Sequence, residues 1–185
     1  MTSWKIIEYR TMNSQKFKIL LIGTNNSQKT ELIEDLIDIK FSKSYKKVVG
    51  VDILTINIEY ALNQYARLSI WDIDAQLRFN SILSSICQGV EGIIFVFTLT
   101  STESYNYVLK KYKELKSYAG EIPFILIANS RGKLEEDKDT FNREEAQIFA
   151  QTEGGLYFEL SSEKGENIKE ILKEFIKRII DWKNN

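Results

Sequence analysis

Lys16-Phe17-Lys18-Ile19-Leu20-Leu21-Ile22-Gly23-Thr24-Asn25-Asn26-Ser27-Gln28-Lys29-Thr30 is the stretch on which the reading of this chain turns. Its first half is a short aliphatic run closed by glycine, as in a strand buried on both faces of a parallel sheet. From Thr30 to Ile39 the spacing becomes helical, with Leu32, Ile33, Leu36 and Ile37 on one face. Between strand and helix, Gly23 to Thr30 follows the spacing G-x-x-x-x-[G]-K-[ST], with Gln28 where the second glycine belongs. Backbone N–H groups and a helix N-terminus in that arrangement cradle phosphates; the lysine neutralises their charge and the hydroxyl ligates Mg²⁺. An ordinary polar strand-to-helix turn would fit an isolated imperfect match equally well. The strand before and the helix after favour the phosphate loop.

The same alternation continues outward. Val51 to Tyr60 alternates in period two, and a polar turn at Asn63-Gln64 leads to Tyr65 to Trp71, which predicts an antiparallel hairpin. Gly92 to Leu99 reads as a fully buried strand, and Ser101 or Thr102 caps a helix running to Tyr118. Pro123 to Ala128 is a fifth strand, Asn142 to Gln151 a helix, and Leu156 to Leu160 a sixth strand. Ile168, Ile171, Leu172, Phe175, Ile176, Ile179 and Ile180 form the apolar stripe of a final helix. Alternation of this kind predicts an open, mainly parallel sheet with helices on both faces. Ligands of such sheets sit beyond the carboxyl ends of the strands, here after Ile22, Ile70, Ala128 and Leu160.

Composition narrows the function. The 185 residues fit one domain, with no internal repeat and Pro123 as the single proline. Hydrophobic residues at 43% supply a core, and a net charge of -1 gives no whole-chain reason to bind nucleic acid or an anionic membrane. A single cysteine, Cys87, excludes a disulfide framework, and the lack of histidine excludes a histidine-based triad, zinc or haem site. Cys87, beside Ile82, Leu83 and Ile86, reads as a core filler. Lys40, Lys43, Lys46 and Lys47 read as a solvated face, and Glu135 to Asp139 as a surface turn. The first eight residues carry charges where a signal peptide needs an apolar run, and no apolar stretch approaches the roughly 20 residues that span a bilayer. A soluble, cytoplasmic protein is expected.

Three further segments carry a family resemblance. Trp71-Asp72-Ile73-Asp74-Ala75-Gln76-Leu77-Arg78-Phe79 resembles the W-D-T-A-G-Q-E-R-F segment of Ras-superfamily small GTPases. Val49-Gly50-Val51-Asp52-Ile53 resembles the I-G-V-D-F signature of Rab proteins. Phe158 to Ile168 is similar to the F-x-E-T-S-A-K-x-G-x-N-[VI] stretch near the end of the same fold. The resemblance implies a three-layer α/β P-loop fold, Ras-like, with six mainly parallel strands, one of them antiparallel. It spans residues 16–181, leaving a 15-residue N-terminal extension, with Trp4, Ile6 and Ile7, and a tail at 182–185.

The resemblance also implies site residues. Nucleotide contacts fall on Gly23, Asn26, Ser27, Gln28, Lys29, Thr30, Ala75, Asn129, Ser161 and Ser162. Thr30 and Asp72 would hold Mg²⁺, and Gln76 would orient the attacking water. The base-reading N-K-x-D appears as Asn129-Ser130-Arg131-Gly132, and Gly132 has no carboxylate for the guanine edge. Glu163 replaces the lysine of S-A-K. The switch I threonine falls on Val48, which cannot ligate a metal; Ala75 replaces the D-x-x-G glycine, and Asp74 adds a negative charge nearby. These features together imply a Rab-like switch or scaffold that binds GTP/GDP with Mg²⁺, with weakened guanine specificity and slow or absent hydrolysis. The alternative is a pseudo-GTPase interaction module that binds no nucleotide. Effectors or regulators would read Val48 to Asp52, Trp71 and Gln76 to Ile82. No nucleic acid partner, no direct lipid anchor (the last residues lack a prenylation cysteine) and a monomer are expected.

Overall fold

The computed structural model describes residues 14–27, 29, 32, 44–48, 50–75, 83–129, 141–160 and 167–185. Among them the chain runs β1 (Gln15–Gly23), β2 (Ser44–Val48), β3 (Val51–Ala61), β4 (Gln64–Ile73), α1 (Leu83–Cys87), β5 (Gly92–Thr98), α2 (Thr102–Ala119), β6 (Phe124–Asn129), α3 (Arg143–Thr152), β7 (Leu156–Leu160) and α4 (Ile168–Asn184). Lys29 and Leu32 are helical, Leu32 within the segment that the Thr30 to Ile39 periodicity predicts; the other residues of that predicted segment lie outside the described residues.

The strands form one sheet in the order β2-β3-β4-β1-β5-β6-β7. β1 lies parallel to β4 and β5, and β5, β6 and β7 continue in parallel. β3 runs antiparallel to β4 through the predicted hairpin, whose turn holds Asn63 at φ 57°. The six predicted strands are all present. A short edge strand, β2, lies outside them and pairs Val48 with Val51 across the tight turn at Gly50 (φ 79°). That φ favours glycine, so Gly50 suits its place between the paired Val48 and Val51. Val48, the position on which the resemblance puts the switch I threonine, therefore ends a strand.

Two apolar layers sandwich the sheet. Phe17, Ile19 and Leu21 of β1 face Leu172, Phe175, Ile176 and Ile179 of α4 on one side. Leu20 and Ile22 face the opposite layer with Tyr105 and Val108 of α2 and Ala146 and Ala150 of α3. All seven residues of β5 are buried, as its continuous apolar run predicts. Each fully buried large aliphatic or aromatic side chain contributes roughly 1.5–3 kcal/mol. The predicted Ser101 cap holds, its Oγ accepting from Ser104 N–H at 3.2 Å; Asn142, read as the first helical residue, instead caps α3, its Oδ1 accepting from Glu144 N–H at 3.1 Å. Cys87 ends α1 and is buried. α4 continues through Trp182 and Lys183 to Asn184, taking in most of the residues set apart as a tail.

Candidate nucleotide site

β1 ends at Gly23, in register with Val96 of β5. A Cβ on Gly23 would lie 2.5 Å from Ser27 Oγ and 2.5 Å from the Val96 carbonyl oxygen, so only glycine fits this approach. The chain then turns through a 3₁₀ segment, Asn25–Ser27. Ser27 closes it twice: its N–H donates to the Thr24 carbonyl at 3.1 Å and its hydroxyl donates to the same oxygen at 2.7 Å. Ser27 is wholly buried, and Asn26 lies in the same turn. Thr24 Oγ1 is buried and meets no hydrogen-bond partner among the described residues.

Lys29 follows with only 6% of its surface exposed. Its Nζ donates to Asp72 Oδ1 at 2.9 Å and to the Ile73 carbonyl at 2.9 Å. These acceptors stand at the carboxyl end of β4, because the β1–β4 register sets Leu21 beside Asp72. β4 extends two residues beyond Trp71, where the sequence reading ended it, since Asp72 and Ile73 still pair with β3. Asp72 is thus a strand residue at the rim of the sheet.

Its charge is contested. Burial pushes the Asp72 carboxyl above the ordinary range; the Lys29 ammonium pulls it back, and Asp52 and Asp74 push it up further. Asp52 lies opposite Asp72 across the hairpin, and Asp74 N–H donates to the Gly50 carbonyl at 3.1 Å. Sequence reading missed Asp52. Counting outward from the Asn63 turn, with the one-residue slip near Tyr60, would have placed it opposite Asp72.

The strand ends bring other predicted residues to the same rim. Asn129 closes β6, wholly buried, and its carbonyl accepts from Leu99 N–H at 3.2 Å. Leu160, paired with Asn129, closes β7 immediately before Ser161 and Ser162. Ala75 lies in the turn after β4. Gln28, Thr30, Gln76, Ser130, Gly132, Ser161, Ser162 and Glu163 lie outside the described residues.

The donor chemistry fits a phosphate chain: a glycine cradle, a buried hydroxyl without a partner among the described residues, and a buried ammonium. It also fits a divalent cation at one carboxylate, Asp72, although the described residues hold no cluster of three carboxylates, thiols or imidazoles. A strand, a phosphate loop and a helix at the end of a parallel sheet define an α/β nucleotide-binding domain of the P-loop type.

Residues 18–181 match the model of the Ras family. The chain is 32% identical over 166 residues to the Ras-related protein Rab-12 of Mus musculus, spanning 89% of this chain and 68% of that protein. It is 30% identical over 164 residues to the Ras-related protein Rab-4 of Dictyostelium discoideum, spanning 88% of this chain and 78% of that protein. The chain belongs to the Ras family and is Rab-like within it. Its general function is therefore that of a nucleotide-binding, GTPase-type switch. Family membership implies GTP or GDP with Mg²⁺ as ligands, a potential for GTP hydrolysis, and effectors or regulators met through the switch regions. No helix among the described residues is long and apolar enough to cross a membrane.

Proposed function

We propose that this chain binds a purine nucleotide with Mg²⁺ and acts as a regulatory switch or scaffold with weakened guanine specificity and slow hydrolysis. The observation that carries the reading is the buried Lys29 ammonium beside Asp72, directly after a loop that only glycine can open. Lys29 holds the phosphates, with Gly23, Asn26, Ser27 and Gln28 shaping the loop around them. Thr30 and Asp72 hold the metal, which when bound neutralises phosphate oxygens. Gln76 orients the attacking water. Ala75, Asn129, Ser161 and Ser162 complete the nucleotide's surroundings.

Weakened specificity follows from Gly132, which cannot accept the guanine N–H groups. A site that hydrogen-bonds a substrate group discriminates because losing the partner leaves buried polar groups unpaired; a site without the acceptor loses that lever. Slow hydrolysis follows from Val48, Asp74 and Ala75.

A second reading, an interaction module without nucleotide, is favoured by one contact pattern. Lys29 is already satisfied by two protein oxygens. Nucleotide extracted from the purified protein and identified chromatographically separates the two readings. Competition between GTP, ATP and their diphosphates against a labelled nucleotide then measures base selectivity. The proposal expects Lys29→Ala to abolish binding and guanine preference to stay below about a thousandfold, roughly 4 kcal/mol. Equal binding by Lys29→Ala refutes the phosphate-loop assignment.

A further inference from the structure

Lys18 of β1, partly buried, is engaged on the other side of the sheet from α4. Lys18 Nζ donates to the Ile86 carbonyl at 2.7 Å and to the Gln88 carbonyl at 2.9 Å. It also stands 4.0 Å from the centre of the Trp71 ring. An ammonium has three N–H directions, and here two meet carbonyls while the cation faces an indole. Sixty-eight and seventy residues separate Lys18 from those carbonyl acceptors, so these are tertiary contacts that local structure does not dictate.

α1 needs such a partner. It has five residues and no basic side chain in its last turn. One and a half turns cannot sustain themselves in water, and the carbonyls at a helix C-terminus carry partial negative charge. Lys18 supplies the missing cation from another element. The lysine is itself held in place: its N–H donates to Glu91 Oε2 at 3.3 Å, and its carbonyl accepts from Glu91 N–H at 2.9 Å. Glu91 in turn pairs through Oε1 with Lys183 of α4. Burial lowers the Lys18 pKa from the ordinary lysine value, as enclosure of the ammonium by these groups should.

Trp71 is half-buried, and its indole N–H donates to Ser69 Oγ at 3.1 Å. It directly precedes Asp72, the partner of Lys29. The ring therefore belongs both to the hairpin that carries the acidic side of the nucleotide site and to the ammonium that holds the end of α1.

We propose that Lys18 is a positioning residue that clamps the carboxyl end of α1 to Trp71, so that this helix end and the hairpin beside Asp72 behave as one body. Its consequence for nucleotide exchange rests on the nucleotide-switch reading; the clamp itself does not. With the clamp intact, displacement near the site ends at Ile86 and α1 stays seated. Without it, α1 frays and Trp71 loses its cation, while β5 and β6 are untouched.

The test uses the full chain with Trp4→Phe and Trp182→Phe, which leaves Trp71 as the sole indole. Lys18→Met keeps length and loses charge; Lys18→Arg restores a cation with N–H groups for both carbonyls. Amide hydrogen exchange and Trp71 emission are measured with no nucleotide added. In Lys18→Met, exchange at residues 86–90 should rise at least tenfold relative to β5 and the emission should shift; Lys18→Arg should restore both. Trp71→Leu, made from the other side of the contact, should also speed exchange at residues 86–90, which keeps the test alive should Lys18→Met not fold. Release of labelled GDP, measured with Mg²⁺, should quicken severalfold in Lys18→Met and return with arginine. Unchanged exchange at residues 86–90, or loosening spread equally over β5 and β6, overturns the clamp. Failure of every variant and the parent to bind GDP overturns the nucleotide reading instead, and leaves the exchange and emission results to decide Lys18.

Discussion

Lys29 and Asp72 form an ion pair of 2.9 Å between the first loop and the end of β4, with 7% and 21% of their side-chain surfaces exposed. The Lys29 ammonium favours the charged Asp72 carboxylate, yet burial first, and then Asp52 and Asp74, keep that carboxyl above the ordinary range. Lys29→Met should destabilise the fold by about 1–3 kcal/mol, since it leaves a half-buried carboxylate without its partner. Asp72→Asn in the Lys29→Met background should recover part of that loss. A double-mutant cycle by urea denaturation measures the coupling; additive effects would mean that the pair contributes nothing.

Gly23 offers a steric test of the same loop. A methyl group there meets both a hydroxyl that is buried and hydrogen-bonded and a backbone carbonyl of the neighbouring inner strand β5. Ser27 can rotate only by giving up its bond to Thr24, and Val96 cannot move without disturbing the sheet. Gly23→Ala should therefore cost about 1–3 kcal/mol by overpacking, read as a lower urea midpoint at unchanged slope. A stability equal to the parent's would show that the loop relaxes freely.

Most of the sheet was legible in the sequence because each strand carries its own signal. β5 is a continuous apolar run buried along its whole length, and β3 buries Leu54, Ile56, Ile58 and Tyr60 in strict alternation. The antiparallel edge strand β2 was not legible. Ser44-Tyr45-Lys46-Lys47-Val48 has no apolar alternation, and its pairing comes from β3 and the Gly50 turn. Lys29 was legible through the spacing of the loop after β1, whereas Asp72 and Asn129 were implied by the family resemblance. The second bond of Lys29, to the Ile73 carbonyl, was not legible, because a backbone acceptor leaves no trace in residue identity. Lys18 escaped for a related reason: both of its hydrogen-bond acceptors are carbonyls.

At the other end of the sheet, α2 and α3 are tied by a polar contact with a pH signature. Tyr112 O–H donates to Glu153 Oε2 at 2.6 Å, and Lys116 Nζ donates to the same oxygen at 2.9 Å. The Tyr112 bond first, then the Lys116 bond, hold the Glu153 carboxyl below its usual 4.5. A depressed carboxyl contributes stability that is complete above the unfolded value and disappears as pH falls through the lower, folded one. Tyr112→Phe should cost about 1 kcal/mol at pH 7 and flatten the loss of stability below pH 4.5. Denaturation midpoints between pH 3 and pH 7 check it; an acid limb as steep as the parent's would refute the role of Tyr112.

Switching is the most exposed consequence of the site. Val48 occupies the position where the resemblance expects a metal-ligating threonine, and it is paired with Val51 at the end of the β2–β3 ladder. A valine side chain has no atom to offer a metal, so γ-phosphate and Mg²⁺ gain no grip on this strand. Asp74, whose N–H is already held by the Gly50 carbonyl, brings a further negative charge to the side where an anionic phosphate would lie. A ligand that favours neither of two states shifts neither population, however tightly it binds. The triphosphate and diphosphate forms should therefore show the same amide exchange across β2 and β3, and single-turnover hydrolysis should be far slower than in ordinary family members. Val48→Thr is the sharper probe. If the loss of that hydroxyl is what silences the switch, the variant should gain triphosphate-dependent protection at residues 44–52, whereas the parent shows none. Strong triphosphate-dependent protection in the parent itself would mean that another group reads the γ-phosphate and that Val48 does not limit the response.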